Sequence, residues 1–123
     1  MKIQELQKEY GLKYDPEDNS FKDDFWQHQQ SGQWILTHDA VEIIASKEGI
    51  KLVNIEVLNS EVDLVRFLIT MSLPDGGQIQ SIGEADRKNC HSQYLGCMAE
   101  KRGIDRCVLK LIKAYQYNIS SEV

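Results

Sequence analysis

Between residues 65 and 83 the chain has a pattern that few folds can accommodate. Val65, Phe67, Ile69, Met71 and Leu73 share one parity, while Arg66, Leu68, Thr70 and Ser72 share the other. That two-residue period is the signature of a long strand with one apolar face. Pro74-Asp75-Gly76-Gly77 follows, and glycine accepts the positive φ that tight hairpin turns require. Gln78–Gly83 then returns as an antiparallel partner. Upstream, Val53, Ile55 and Val57 alternate with Asn54 and Glu56, and Asn59-Ser60-Glu61 reads as a turn. The expectation is a three-stranded antiparallel meander whose apolar face needs a cover. Its other face, with Arg66, Thr70, Ser72, Gln78 and Gln80, stays polar and open.

Helices supply the cover. From Cys97 to Tyr115, Cys97, Ile104, Val108, Leu111 and Tyr115 fall on one line at 100° per residue, the spacing of an amphipathic helix. Its far side carries Arg102, Arg106 and Lys113, with Lys110 at the edge. Thr37 is a helix cap, Asp39 suits the positive helix end, and Gly49 is a stop. Val41, Ile44 and Ala45 form that helix's inner face. Residues 2–10 form a shorter helix with Ile3, Leu6 and Tyr10 on one side and Gly11 as its end. Asp15–Ser20 is turn chemistry, Gln27–Gln33 a polar connector and Glu84–Ser92 a polar loop. Phe21, Phe25, Trp26 and Trp34 form an aromatic cluster suited to core packing, base stacking or a subunit contact. The fold class expected is α+β: a three-stranded antiparallel meander with a long C-terminal helix and one or two N-terminal helices packed on it. The 123 residues are read as one domain, with residues 1–33 an N-terminal helix and acidic, aromatic segment and 34–123 the core.

The net charge of −5 excludes a chain that coats a polyanion with its whole surface, but the charge is uneven. Residues 1–60 hold 11 acidic and 6 basic side chains; residues 86–113 hold 7 basic against 3 acidic. Such a local patch is what steers a phosphate backbone. No apolar run suits a bilayer span, and the first residues lack the apolar segment of an export signal. Three cysteines cannot all pair within the chain, so reduced thiols in a cytoplasmic protein are expected.

Catalytic chemistry is sparse. There is no glycine-rich phosphate loop. Cys90, His91, Cys97 and Cys107 lack metal-ligand spacing. His28, His38 and His91 show no spacing tied to a nucleophile, and Cys90 next to His91 cannot readily face it. Glu100 and Asp105 diverge by about 140° on a helix of 100° per residue, so no carboxylate pair forms there. Asp105 with Lys101 reads as an i,i+4 ion pair. A non-enzymatic protein without cofactor or metal is expected.

Gly83-Glu84-Ala85, then Asn89, Tyr94 and Met98-Ala99-Glu100-Lys101-Arg102-Gly103-Ile104-Asp105-Arg106-Cys107-Val108-Leu109-Lys110-Leu111-Ile112 resemble a set of short phage proteins. These carry a Gly-Glu-Ala turn, an Asn and a Met-Ala-Glu-Lys-Arg-Ala-x-Asp-Arg-x-x-Leu-x-Leu helix. Trp34–Glu42, Ala45 and Gly49-Ile50 fit their entry helix, so the resemblance covers roughly residues 34–122. The hairpin-then-helix order is further similar to the Erf, Redβ and Rad type single-strand annealing superfamily. The resemblance implies single-stranded DNA in a groove between hairpin and helix, side-by-side homo-oligomers, and annealing without nucleotide or metal. Carried to matching positions, it implies Lys101, Arg102 and Arg106 as phosphate-binding residues. Charge and placement add Arg66, Arg87, Lys88, Lys110 and Lys113. The alternative expectation is a small acidic protein that binds or inhibits a protein partner through the 15–34 surface, with Arg102 and Arg106 in internal ion pairs.

Overall fold

The computed structural model describes residues 2–90 and 94–122; His91 and Ser92 lie outside them. The element order is α1 (Ile3–Tyr10), β1 (Phe25–Gln27), β2 (Trp34–Leu36), α2 (His38–Glu48), β3 (Lys51–Ser60), β4 (Leu64–Ser72), β5 (Gln78–Asp86), α3 (Leu95–Leu111), a 3-10 turn (Ala114–Tyr117) and β6 (Ile119–Ser120). The described residues form an α+β arrangement with two three-stranded sheets.

The expected meander is present as β3-β4-β5, antiparallel throughout. Val65, Phe67, Ile69 and Met71 face α3, with Ile69 and Met71 buried. Leu73 accepts and donates across the Pro74–Gly77 turn, where Gly76 has φ +91°. A second sheet, β1-β2-β6, is not foreseen in the sequence. β1 and β2 form a short hairpin across the Gln27–Gln33 connector, and β6 joins β2 in parallel, Trp34 beside Ile119. Strands of two and three residues are too short to show a period, so only pairing across distant sequence reveals them.

Both N-terminal helices form as expected. Gly11 and Gly49 end α1 and α2 in the left-handed conformation, and the Thr37 hydroxyl accepts from the Ala40 amide at 3.2 Å. Leu6, Phe25, Ile44, Ile69, Val108 and Ile119 belong to one buried cluster, so residues 1–33 share the apolar core of the rest. Phe25 stacks on Tyr14 at 4.6 Å and meets Trp34 edge-on. Phe21 is instead 75% exposed.

Several boundaries differ from expectation. β3 runs through Asn59 and Ser60, and the turn falls after them; bulges between Leu52 and Asn54 and between Val57 and Asn59 shift its register. Leu52 opposes Met71 and Asn54 opposes Thr70, with Val53 bulged between them. β5 continues through Gly83-Glu84-Ala85 to Asp86, so those residues are strand, not turn or loop. The last helix stops at Leu111, because Lys113 turns left-handed at φ +57° and places Tyr115 in the 3-10 turn.

The predicted apolar line of α3 is also displaced. Cys97 and Tyr115 are exposed, and Ile104 and Leu111 only partly covered. Of the predicted line only Val108 is fully buried, and beside it the row Leu95, Ala99, Gly103 and Cys107 is buried as well. Burial pushes the Cys107 thiol up to about 11, and its Sγ lies 3.7 Å from the Ile69 carbonyl. Cys90 and Cys107 are buried and Cys97 is exposed, none of them in a disulfide.

Small side chains make this row the closest approach of helix to sheet. A Cβ at Gly83 would overlap the Ala99 carbonyl oxygen and lie 2.9 Å from Gly103 Cα. Gly103 costs the helix about 1 kcal/mol relative to alanine, and that cost secures the contact. Gly83→Ala must therefore force backbone apart, lowering stability by about 3 kcal/mol in urea unfolding. A Cβ at Gly103 would overlap the buried Ile69 side chain and press on the Gly83 amide at 3.2 Å, so Gly103→Ala should also lower the urea midpoint, with about 1 kcal/mol returned by helix propensity.

Candidate functional site

α3 runs alongside the outer edge of β5, and its basic residues close that edge. Arg102, Arg106 and Lys110 recur every four residues, about 6 Å along a helix. Outward carbonyls of a strand recur every two residues, about 6.8 Å. The two repeats nearly match. Arg102 donates to the Glu84 carbonyl at 3.0 Å, Arg106 to that of Ile82 at 2.7 Å and Lys110 to that of Gln80 at 3.3 Å.

Arg106 is the centre of this contact. Its Nε donates to Glu122 Oε2 at 2.7 Å, one Nη to Ile82 O and Glu84 Oε2, and the other to Glu84 Oε1 and Glu122 Oε1. A guanidinium has five N–H groups, and all five are engaged. The hydrogen bond from Arg106 holds the Glu84 carboxyl below its ordinary range, and the two carboxylates push the Arg106 pKa up. Arg102 adds bonds to the Asn89 side chain at 3.0 Å and carbonyl at 2.8 Å. The motif positions Gly83, Glu84, Asn89, Ala99, Arg102 and Arg106 thus converge into one structural network. Arg106→Ala should destabilise the chain by about 2–3 kcal/mol in thermal or urea unfolding, because two half-buried carboxylates and a strand carbonyl lose their partner.

The expected Lys101–Asp105 pair does not form. Asp105 is buried and faces α2, where His38 Nδ1 lies 2.6 Å from its Oδ1; His38 Nε2 lies 2.9 Å from Glu42 Oε1. Two carboxylate acceptors call for two N–H donors, the arrangement of an imidazolium. The Asp105 hydrogen bond pushes the His38 pKa up, and burial pushes the Asp105 carboxyl up. The raised His38 pKa means that the folded chain holds the imidazolium proton more tightly than the unfolded one, so the stability it contributes is complete below about pH 6.5 and is lost as pH rises through the folded His38 pKa. The thermal midpoint should fall through that window in the native chain, and His38→Gln should flatten the fall.

On the side of the meander away from α3, Arg66 opposes Glu84, Thr70 opposes Gln80 and Ser72 opposes Gln78, with Leu68 and Ile82 among them; the predicted polar face is there, but Thr70 is buried and not open. Where this face meets α3 and the 3-10 turn lies a groove of about 550 Å³ lined by Arg66, Leu68, Gln80, Ile82, Lys110 and Tyr115, with Glu84, Arg106 and Ser81 completing it. Three cations and one carboxylate face it. Lys110 also donates to Ser81 Oγ at 3.1 Å, leaving one of its three ammonium protons for another acceptor. Arg66 reaches Asn59 only at 3.5 Å. The Tyr115 ring, 42% exposed, supplies an aromatic wall.

The other sequence candidates do not share that groove. Lys101 and Arg102 line a separate cleft of about 500 Å³ with Phe21, Trp26, His38 and Asp105. Arg87 pairs with Asp63 at 3.7 Å, and Lys88 and Lys113 are exposed at the two ends of the β5–α3 unit. Among the described residues no His, Cys, Asp and Glu group is arranged to hold a metal ion, and no helix is long and apolar enough to cross a membrane. Tyr115 and Glu122 were missed in the sequence: Tyr115 reads as the end of an apolar stripe, and nothing local marks Glu122 as a partner of Arg106. No protein family, curated protein or solved structure compared with the chain matches it.

Proposed function

We propose that the protein binds single-stranded DNA in the groove between the open meander face and α3, as an annealing-type protein that acts as a homo-oligomer without nucleotide or metal cofactor. The observation that carries this reading is the convergence of Arg66, Lys110 and Tyr115 on one open groove. Lysine and arginine neutralise phosphates, and an exposed ring offers a face on which any base can stack. The resemblance to phage annealing proteins points the same way. Arg106 and Arg102, whose donors serve β5, act as scaffold, and Arg66 and Lys110 are the phosphate-facing pair.

Fluorescence anisotropy of a labelled single-stranded oligonucleotide tests the assignment. Binding should weaken with salt, Arg66→Ala and Lys110→Ala should each lower the salt slope by about 1, and Tyr115→Ala should lower affinity with the slope unchanged. Lys47→Ala, on the exposed side of α2, serves as the control and should bind like the native chain. Absence of binding at low salt, or equal loss in the Lys47 control, would overturn the reading.

A second reading rests on Phe21, which is 75% exposed beside the cleft that Trp26 lines. An aromatic side chain held out among acidic residues suits a protein partner, and indifference to DNA together with partner binding abolished by Phe21→Ala would favour it.

A further inference from the structure

The two edges of the meander are treated differently. The β5 edge is closed by side chains, since Arg102, Arg106 and Lys110 occupy successive outward carbonyls. β3 is the opposite edge. α3 packs on β4 and β5, so β3 projects beyond its cover. Leu52, Val53, Val57 and Leu58 are 43%, 51%, 59% and 41% exposed. An uncovered apolar edge strand is a template for pairing with another strand.

The residues of β3 specify which strand. Leu52-Val53-Asn54-Ile55-Glu56-Val57-Leu58 reads the same in apolar and polar character from either end, with Ile55 at its centre. A palindrome is what a two-fold axis requires, because an isologous interface opposes each position to its mirror position. Antiparallel pairing about Ile55 sets Leu52 against Leu58, Val53 against Val57, and Ile55 against its own copy. Asn54 meets Glu56, so no like charges are opposed. The bulges at Val53 and Leu58 bracket the regular segment between them, leaving the centre of the palindrome available for backbone pairing. Pairing of β3 with β5 of another copy is excluded by the side chains that occupy the β5 edge, and head-to-tail growth of the sheet with it.

We propose that β3 is the seam of a two-fold homodimer, in which the meanders of two copies join antiparallel about Ile55 into one six-stranded sheet. This assembly closes at two copies and holds whether or not the groove binds DNA.

Sedimentation velocity across a concentration series tests it. The native chain should sediment at twice its 14.1 kDa mass. Val53→Lys and Val57→Glu alone should each shift the population to the single chain; both positions are more than half exposed, so circular dichroism should show the fold retained. The double variant Val53→Lys/Val57→Glu opposes lysine to glutamate at both ends of the axis and should restore the dimer. A native chain that stays at 14.1 kDa at the highest concentration overturns the proposal. So does a larger assembly that Val53→Lys leaves intact, or a double variant that remains a folded single chain.

Discussion

A single guanidinium holds three separate parts of this fold in register. Arg106 stands on α3, closes the edge of β5 through Ile82 and Glu84, and fixes the C-terminal segment through Glu122. A charge this enclosed is stable only when every donor has a partner, and here all five do. The arrangement depends on how near the helix lies to the strand, which in turn depends on Gly83 and Gly103 having no side chains between them. Backbone contact at the glycines and ionic contact at Arg106 are therefore two ends of one constraint.

That constraint divides the meander. Pulled toward β5, α3 covers β4 and β5 and leaves β3 to stand beyond it. It also divides the cations. Arg106 spends all five donors on the strand edge and two carboxylates, whereas Lys110, which bonds the same edge, keeps one ammonium proton beside Arg66 in the groove. Basic residues adjacent in sequence thus serve different ends, and total charge in the 86–113 stretch says little about which of them meets solvent.

The parts of the fold that were legible in the sequence are those whose physics is local. The alternation of Val65 to Met71, the Pro74–Gly77 turn, the Thr37 cap and the glycine stops each act within a few residues. What escaped is what depends on distant partners. The row Leu95, Ala99, Gly103 and Cys107 is weak as a hydrophobic stripe, because its meaning is the absence of bulk against Gly83. Asp105 looked like a partner for Lys101 one turn away, but the stronger partner, His38, sits 67 residues upstream. Of the proposed site, Arg66 and Lys110 were identifiable by charge, and Tyr115 joins them only because the helix breaks at Lys113. Had the helix run on to residue 115, that ring would point elsewhere.

The parallel pairing of β6 with β2 has a consequence for how the chain is made. Trp34 cannot meet Ile119, nor Arg106 its second carboxylate, until residues 119–122 have left the ribosome. Until then the β1–β2 hairpin lacks its third strand and the guanidinium has donors to spare. Contacts between such distant residues are slow to form, because a long loop must close before they contribute. The β2–β6 pairing of Trp34 with Ile119 thus closes a span of 85 residues, and everything between them must be in place before that contact contributes.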